Sequence, residues 1–123
     1  MELSRVIKNM TQELPLNYNE QHGIKGIIDE LTKKYPYIKK IILYGSKARG
    51  DFLEDSDIDL LFISESEVSR AAKFEMNDII YDHELSNDIA VSAIFISESD
   101  FKNKINTFLM RVKKEGVIIW SRE

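Results

Sequence analysis

Residues 38–64 read IKKIILYGSKARGDFLEDSDIDLLFIS. Two short apolar runs flank a Gly-Ser pair, two cations, a second glycine and two aspartates spaced one residue apart. Runs of this length, rich in β-branched residues and ended by glycine, predict buried strands over IKKIILY and DIDLLFIS. SKARG between them is long enough for one helical turn. Asp57 and Asp59 enter the second strand, and side chains two apart on a strand share a face. Two carboxylates held side by side repel unless a cation lies between them. Magnesium is the hard cation that also binds phosphate oxygens. Two such ions would stabilise both the attacking and the leaving oxygen of a phosphoryl or nucleotidyl transfer.

The first half of the stretch supplies a grip for phosphate. Gly45 lets backbone approach a ligand closely. Ser46 starts a turn whose free N–H groups favour an anion. Lys47 and Arg49 add positive charge, and arginine can engage phosphate through two parallel hydrogen bonds. Each part alone has an ordinary explanation as a turn, a cap or a solvated charge. Strand, Gly-Ser and then Asp-x-Asp entering an apolar strand is far more specific in combination.

Working outward, Leu3, Val6, Ile7 and Met10 predict a first helix. Ile24, Ile27, Ile28 and Leu31 predict a second that stops before Pro36. ESEVSRAAKFEMNDIIYDHEL, residues 65–85, is expected to be helical, and NDIAVSAIFIS, residues 87–97, to be a third strand. A final helix is expected over SESDFKNKINTFLMRVKKEG, capped by Ser97 and closed by Gly116, with VIIW as a last strand. Interleaved strands and helices imply one sheet with helices packed against it, an α/β (α+β) fold. The connection between the first two strands is too long for a tight hairpin and short for a crossover helix, so the sheet order stays open. One domain is expected over residues 1–123, with a helical extension at 1–20 and a core at 21–123.

LYGSKARGDFLEDSDIDLLFI closely resembles the signature of the minimal nucleotidyltransferases, small members of the DNA polymerase β-like superfamily. The ARG and SDIDL segments match along with the Gly-Ser. The resemblance implies a small mixed β-sheet flanked by helices. It implies transfer of a nucleoside monophosphate from a nucleoside triphosphate onto a hydroxyl, with Asp57 and Asp59 holding two magnesium ions. It also implies a third acidic residue on a neighbouring strand, shared with the metal and able to take the acceptor proton. Asp88 is the candidate, placed at the start of the third expected strand. Glu84 is the runner-up and Asp82 the third choice. By the same resemblance Gly45, Ser46, Lys47 and Arg49 bind the nucleotide. Stand-alone domains of this kind resemble antitoxins that pair with a small all-helical HEPN toxin and add AMP from ATP to its tyrosine. A transferase acting on a small hydroxylated molecule such as an antibiotic, and a binding module without turnover, are the alternatives. Self-association is left open.

Composition narrows the classes. There is no cysteine, which excludes disulfides, thiolate zinc sites and cysteine nucleophiles. The net charge is −4 and the cations are scattered pairs, so a basic groove for a long polynucleotide is not expected. No apolar run reaches the ~18 residues of a membrane span. The N-terminus lacks the apolar core of a signal peptide, so a cytoplasmic protein is expected. His83 in DHE has no second histidine nearby and is not expected to bind metal. Tyr44 and Trp120 are expected to pack.

Overall fold

The computed structural model describes residues 14, 16–51 and 56–122. The elements run α1 (Tyr18–Lys34), β1 (Ile38–Tyr44), α2 (Ser46–Arg49), β2 (Ile58–Ser64), α3 (Arg70–Asn87), β3 (Val91–Ser97), α4 (Glu98–Asn103), α5 (Thr107–Glu115) and β4 (Val117–Ser121). The helix expected over Leu3–Met10 lies outside the described residues.

The strands form one four-stranded sheet in the order β3-β2-β1-β4. β1 pairs antiparallel with both β2 and β4, and β2 pairs parallel with β3. The sheet is therefore mixed, as expected. Alternation along the strands divides the core into two layers. Ile41, Leu43, Ile58, Leu60 and Phe62 face α1 and α3, meeting Ile24, Ile27, Ile28, Leu31, Met76 and Ile80. Ile42, Leu61 and Ile63 face the other way, onto Val112 of α5, with Phe101 of α4 packed against them. Truncating a fully buried residue such as Leu60 to alanine would cost about 2–5 kcal/mol.

α1 opens on a capping box. The Asn17 side chain accepts from the Glu20 N–H at 2.8 Å, and the Glu20 carboxylate accepts from the Asn17 N–H at 3.0 Å. The helix ends at Lys34, ahead of Pro36, where the chain must leave helical geometry. Tyr35 then donates its hydroxyl to Glu75 of α3. α1 crosses close to α3 at Gly26, where a Cβ would meet the His83 ring at 2.7 Å.

Several boundaries differ from expectation. α3 begins at Arg70 rather than Glu65, because Ser69 caps it by accepting from the Ala72 N–H, and it runs on through Asn87, where Asp88 takes a left-handed conformation (φ 54°) as its C-cap. β3 consequently begins at Val91 rather than at Asn87. The single final helix is two helices, because Asn106 starts a new one by accepting from the Leu109 N–H at 2.8 Å. Gly116 follows the second in extended rather than left-handed geometry. Ser97 caps α4 as expected, accepting from the Asp100 N–H at 3.1 Å.

Candidate active site

The sheet register brings three sequence-distant residues abreast. Asp59 is paired with Tyr44 on one side and with Ser92 on the other. Paired positions on adjacent strands share a face about 4.8 Å apart. Asp59, Tyr44 and Ser92 thus line one edge of the sheet face that carries α4 and α5. Asp57 immediately precedes β2 and is exposed.

Gly45 links β1 to α2 with φ 77° and ψ −159°, a conformation essentially closed to residues with a side chain. A Cβ at Gly45 would overlap the Asp59 carboxylate. Glycine is required here twice over, for its backbone angle and for the space beside the acid. Past it, the amides of Ala48 and Arg49 bond the Gly45 carbonyl at 3.1 Å, and Gly50 N–H bonds the Ser46 carbonyl at 2.8 Å.

The charges around Asp59 oppose one another. Burial raises its proton affinity most, and the neighbouring Asp57 charge raises it further; Arg49 works the other way. A carboxyl held up by a second carboxylate is the electrostatic condition that a bound dication relieves. The Tyr44 hydroxyl is pushed up to about 12, first by burial and then by Asp59, so it stays a donor at neutral pH. The Tyr44 ring meets Phe108 edge-on at 5.4 Å.

The expected phosphate cations are differently placed. Arg49 is partly exposed and bonds Asp51 and Glu115, each at 3.1 Å. Lys47, expected to bind nucleotide, turns inward instead. Its side chain is 2% exposed and its Nζ lies 2.7 Å from Glu20 Oε2. Ser46 is half-buried at the head of the turn.

Asp88 does not open a strand. It caps α3, and its N–H bonds the Glu84 carbonyl. Glu84 Oε2 accepts from the Val91 N–H at 2.7 Å, which ties the end of α3 to the start of β3. Asp82 lies exposed within α3. Among the described residues, no three acidic, histidine or cysteine side chains gather as a metal cluster. The β3 residue opposite Asp59 is Ser92. His83 bonds Glu30 at 2.9 Å, and Trp120 is buried with the Arg122 guanidinium over its ring.

Sequence reasoning passed over Glu20 and Ser92. Glu20 carried a signal, since Asn17-x-x-Glu20 is a capping-box spelling. Ser92 carried none, because only the parallel register sets it beside Asp59. A cleft of about 320 Å³ lies along the far half of β3, lined by Ile94, Ile96, Asp100, Lys104, Phe108 and Leu109 among others; Asp59, Tyr44 and Ser92 do not line it.

A family profile described as nucleotidyltransferase domain matches residues 24–119. The chain is 38% identical over 104 residues to "Putative protein adenylyltransferase MJ0604" of Methanocaldococcus jannaschii, covering 83% of this chain and 99% of that protein. Among solved structures it resembles a toxin–antitoxin with AMP-PNP (TM-score 0.57, 19% identity, 80% of this chain and 73% of that one). It also resembles the tri-AMPylated Shewanella oneidensis HEPN toxin in complex with MNT antitoxin (TM-score 0.54, 18% identity, 83% and 72%). At these identities the structural likeness is one of fold. The profile spans most of the chain and the M. jannaschii relative is matched along nearly its whole length, so the chain belongs to the nucleotidyltransferase family and is an enzyme of that class.

Proposed function

We propose that this domain is a magnesium-dependent adenylyltransferase that moves AMP from ATP onto a protein hydroxyl, with a tyrosine of a small all-helical HEPN protein as the acceptor. The observation that carries this reading is the Asp57–Asp59 pair at the head of β2, with Asp59 packed against a glycine turn that leaves no room for a side chain. The protein acceptor rests on the relative named for protein adenylylation and on the fold shared with HEPN toxin complexes.

Asp57 and Asp59 fit a divalent cation: both supply hard oxygens, and burial first, then the Asp57 charge, raise the proton affinity of Asp59. Asp57 and Asp59 would hold magnesium, which would offset charge on the triphosphate and on the attacking oxygen. Gly45 lets the backbone of the turn lie directly against Asp59, so the turn that would hold the triphosphate stands beside the carboxylate. The Ser46 hydroxyl donates to a phosphate oxygen, and Arg49 adds a guanidinium from the same turn. Lys47, on Glu20, supports the turn from behind. Ser92 stands at the start of β3, the strand whose far half lines the cleft, and that side is assigned to the acceptor. The Asp100 and Lys104 carboxylate and ammonium on the rim of the cleft lie 3.5 Å apart, a mixed-charge border better suited to a polypeptide than to a polyanion.

Titrating AMP-PNP by calorimetry, with and without magnesium, tests the site. Binding should need magnesium and weaken strongly in Asp57→Asn. Equal affinity without magnesium, or in the variant, would remove the metal from this reading.

A further inference from the structure

The structure assigns Glu20 and Lys47 as a buried positioning pair that holds the Gly45–Gly50 turn in register with the catalytic carboxylates. This deepens the proposed nucleotidyl transfer at that site and rests on it.

Lys47 sits between Ser46 and Arg49 in a four-residue helix, yet its side chain is 2% exposed. Glu20 is nearly as buried, at 9% for its side chain. Its two oxygens have separate tasks. Oε1 accepts from the Asn17 N–H, and Oε2 meets Lys47 Nζ at 2.7 Å. The carboxylate is therefore fixed by the cap of α1 and presents one oxygen to the turn. The turn is fixed at its other side, because the Gly45 backbone packs directly against Asp59. The chain of contact runs from the α1 cap through Glu20 and Lys47 to the turn, and from the turn to Asp59.

A solvated lysine would serve a phosphate equally well from many rotamers. A buried one, 2.7 Å from a carboxylate, fixes backbone position instead. Removing one partner of a buried pair leaves an uncompensated charge and is strongly destabilising, whereas replacing both with uncharged groups is often neutral. That asymmetry separates positioning from folding. In Glu20→Gln/Lys47→Met the Gln oxygen still serves the Asn17 N–H, and the Met stem fills the lysine channel.

The test measures three things on wild type and on this double variant: melting temperature, amide exchange at Ala48, Arg49 and Gly50, and AMP-PNP affinity with magnesium. The double variant is expected to melt within about 4 °C of wild type. Its three turn amides should exchange faster, and AMP-PNP should bind about tenfold more weakly, equivalent to ~1.4 kcal/mol. A folded double variant with wild-type affinity, or with full protection of those amides, overturns the assignment. A crystal structure of the wild type with AMP-PNP gives an answer that needs no variant. Lys47 should remain on Glu20, and a Lys47 swung onto phosphate oxygens overturns the pair as a positioning device. Wild type that fails to bind AMP-PNP at all contradicts the proposed function instead.

Discussion

The Cα of Gly45 lies directly against the Asp59 carboxylate, so closely that a methyl group there would occupy the position of the acid. Backbone and the Asp59 side chain share one space, and the geometry of the turn and of the acid are set together.

Gly45→Ala should therefore damage both. The φ of 77° with ψ −159° costs a side-chain-bearing residue about 1–3 kcal/mol. The added methyl also displaces Asp59. Urea unfolding should show a loss of that size, accompanied by a large loss of AMP-PNP affinity. Lost stability with unchanged affinity would separate the turn from the binding site.

Asp59→Asn should sharply reduce transfer and stabilise the metal-free protein at neutral pH. The sign follows from its raised proton affinity in the fold. Over the window between its unfolded and folded pKa values the native state holds more protons than the unfolded state. Stability then falls as pH rises through that window and stays lower above it. Removing the charge removes that loss. Melting temperature against pH, without metal, should show a shallower fall above the acid range in the variant. Turnover should drop roughly 10²–10³-fold or more, the loss typical of removing one charge-stabilising group.

Ser92→Asp places a third carboxylate beside Asp59. Manganese binding followed by electron paramagnetic resonance should tighten in the absence of nucleotide. The metal-free variant should melt lower at neutral pH, because a third like charge joins Asp57 and Asp59. Unchanged manganese affinity would place the β3 position out of reach of the metal.

Tyr35→Phe should leave transfer intact and cost about 1 kcal/mol, the worth of an ordinary hydrogen bond. Its hydroxyl joins the end of α1 to Glu75 on α3, far from Asp59 in the sheet. The Glu75 carboxyl is held below its usual range, first by that bond and then by Lys34. Its contribution is present above the unfolded pKa and is lost as pH falls through the folded one. The variant should lose less stability on acidification than wild type.

Much of this was legible in one stretch. IKKIILYG and DIDLLFIS declare their strands because apolar, β-branched runs are bounded by glycine and by charge, and the Asp57–Asp59 spacing puts both acids at one strand entry. The antiparallel pairing of β1 with β2 was not legible, since the connecting turn is neither hairpin nor crossover. Asp88 was misplaced for a local reason. NDIAVS alternates like a strand, but the α3 periodicity continues through Asn87 and the residue after it takes the left-handed cap. Lys47 was expected among the phosphate-binding residues because nothing local hides it. Its partner Glu20 stands on another helix, and burial of a lysine becomes favourable only when tertiary structure delivers the counter-charge. Ser92 belongs to the same class, being set beside Asp59 by parallel register alone.

Intact-mass spectrometry tests the central claim most directly. The tagged protein is isolated from its native cells with whatever accompanies it and weighed before and after Mg-ATP is added. A small helical partner should gain whole AMP units, and should gain none when the enzyme carries Asp57→Asn. A partner that binds but never changes mass, with the wild-type enzyme and Mg-ATP present, would contradict protein adenylylation.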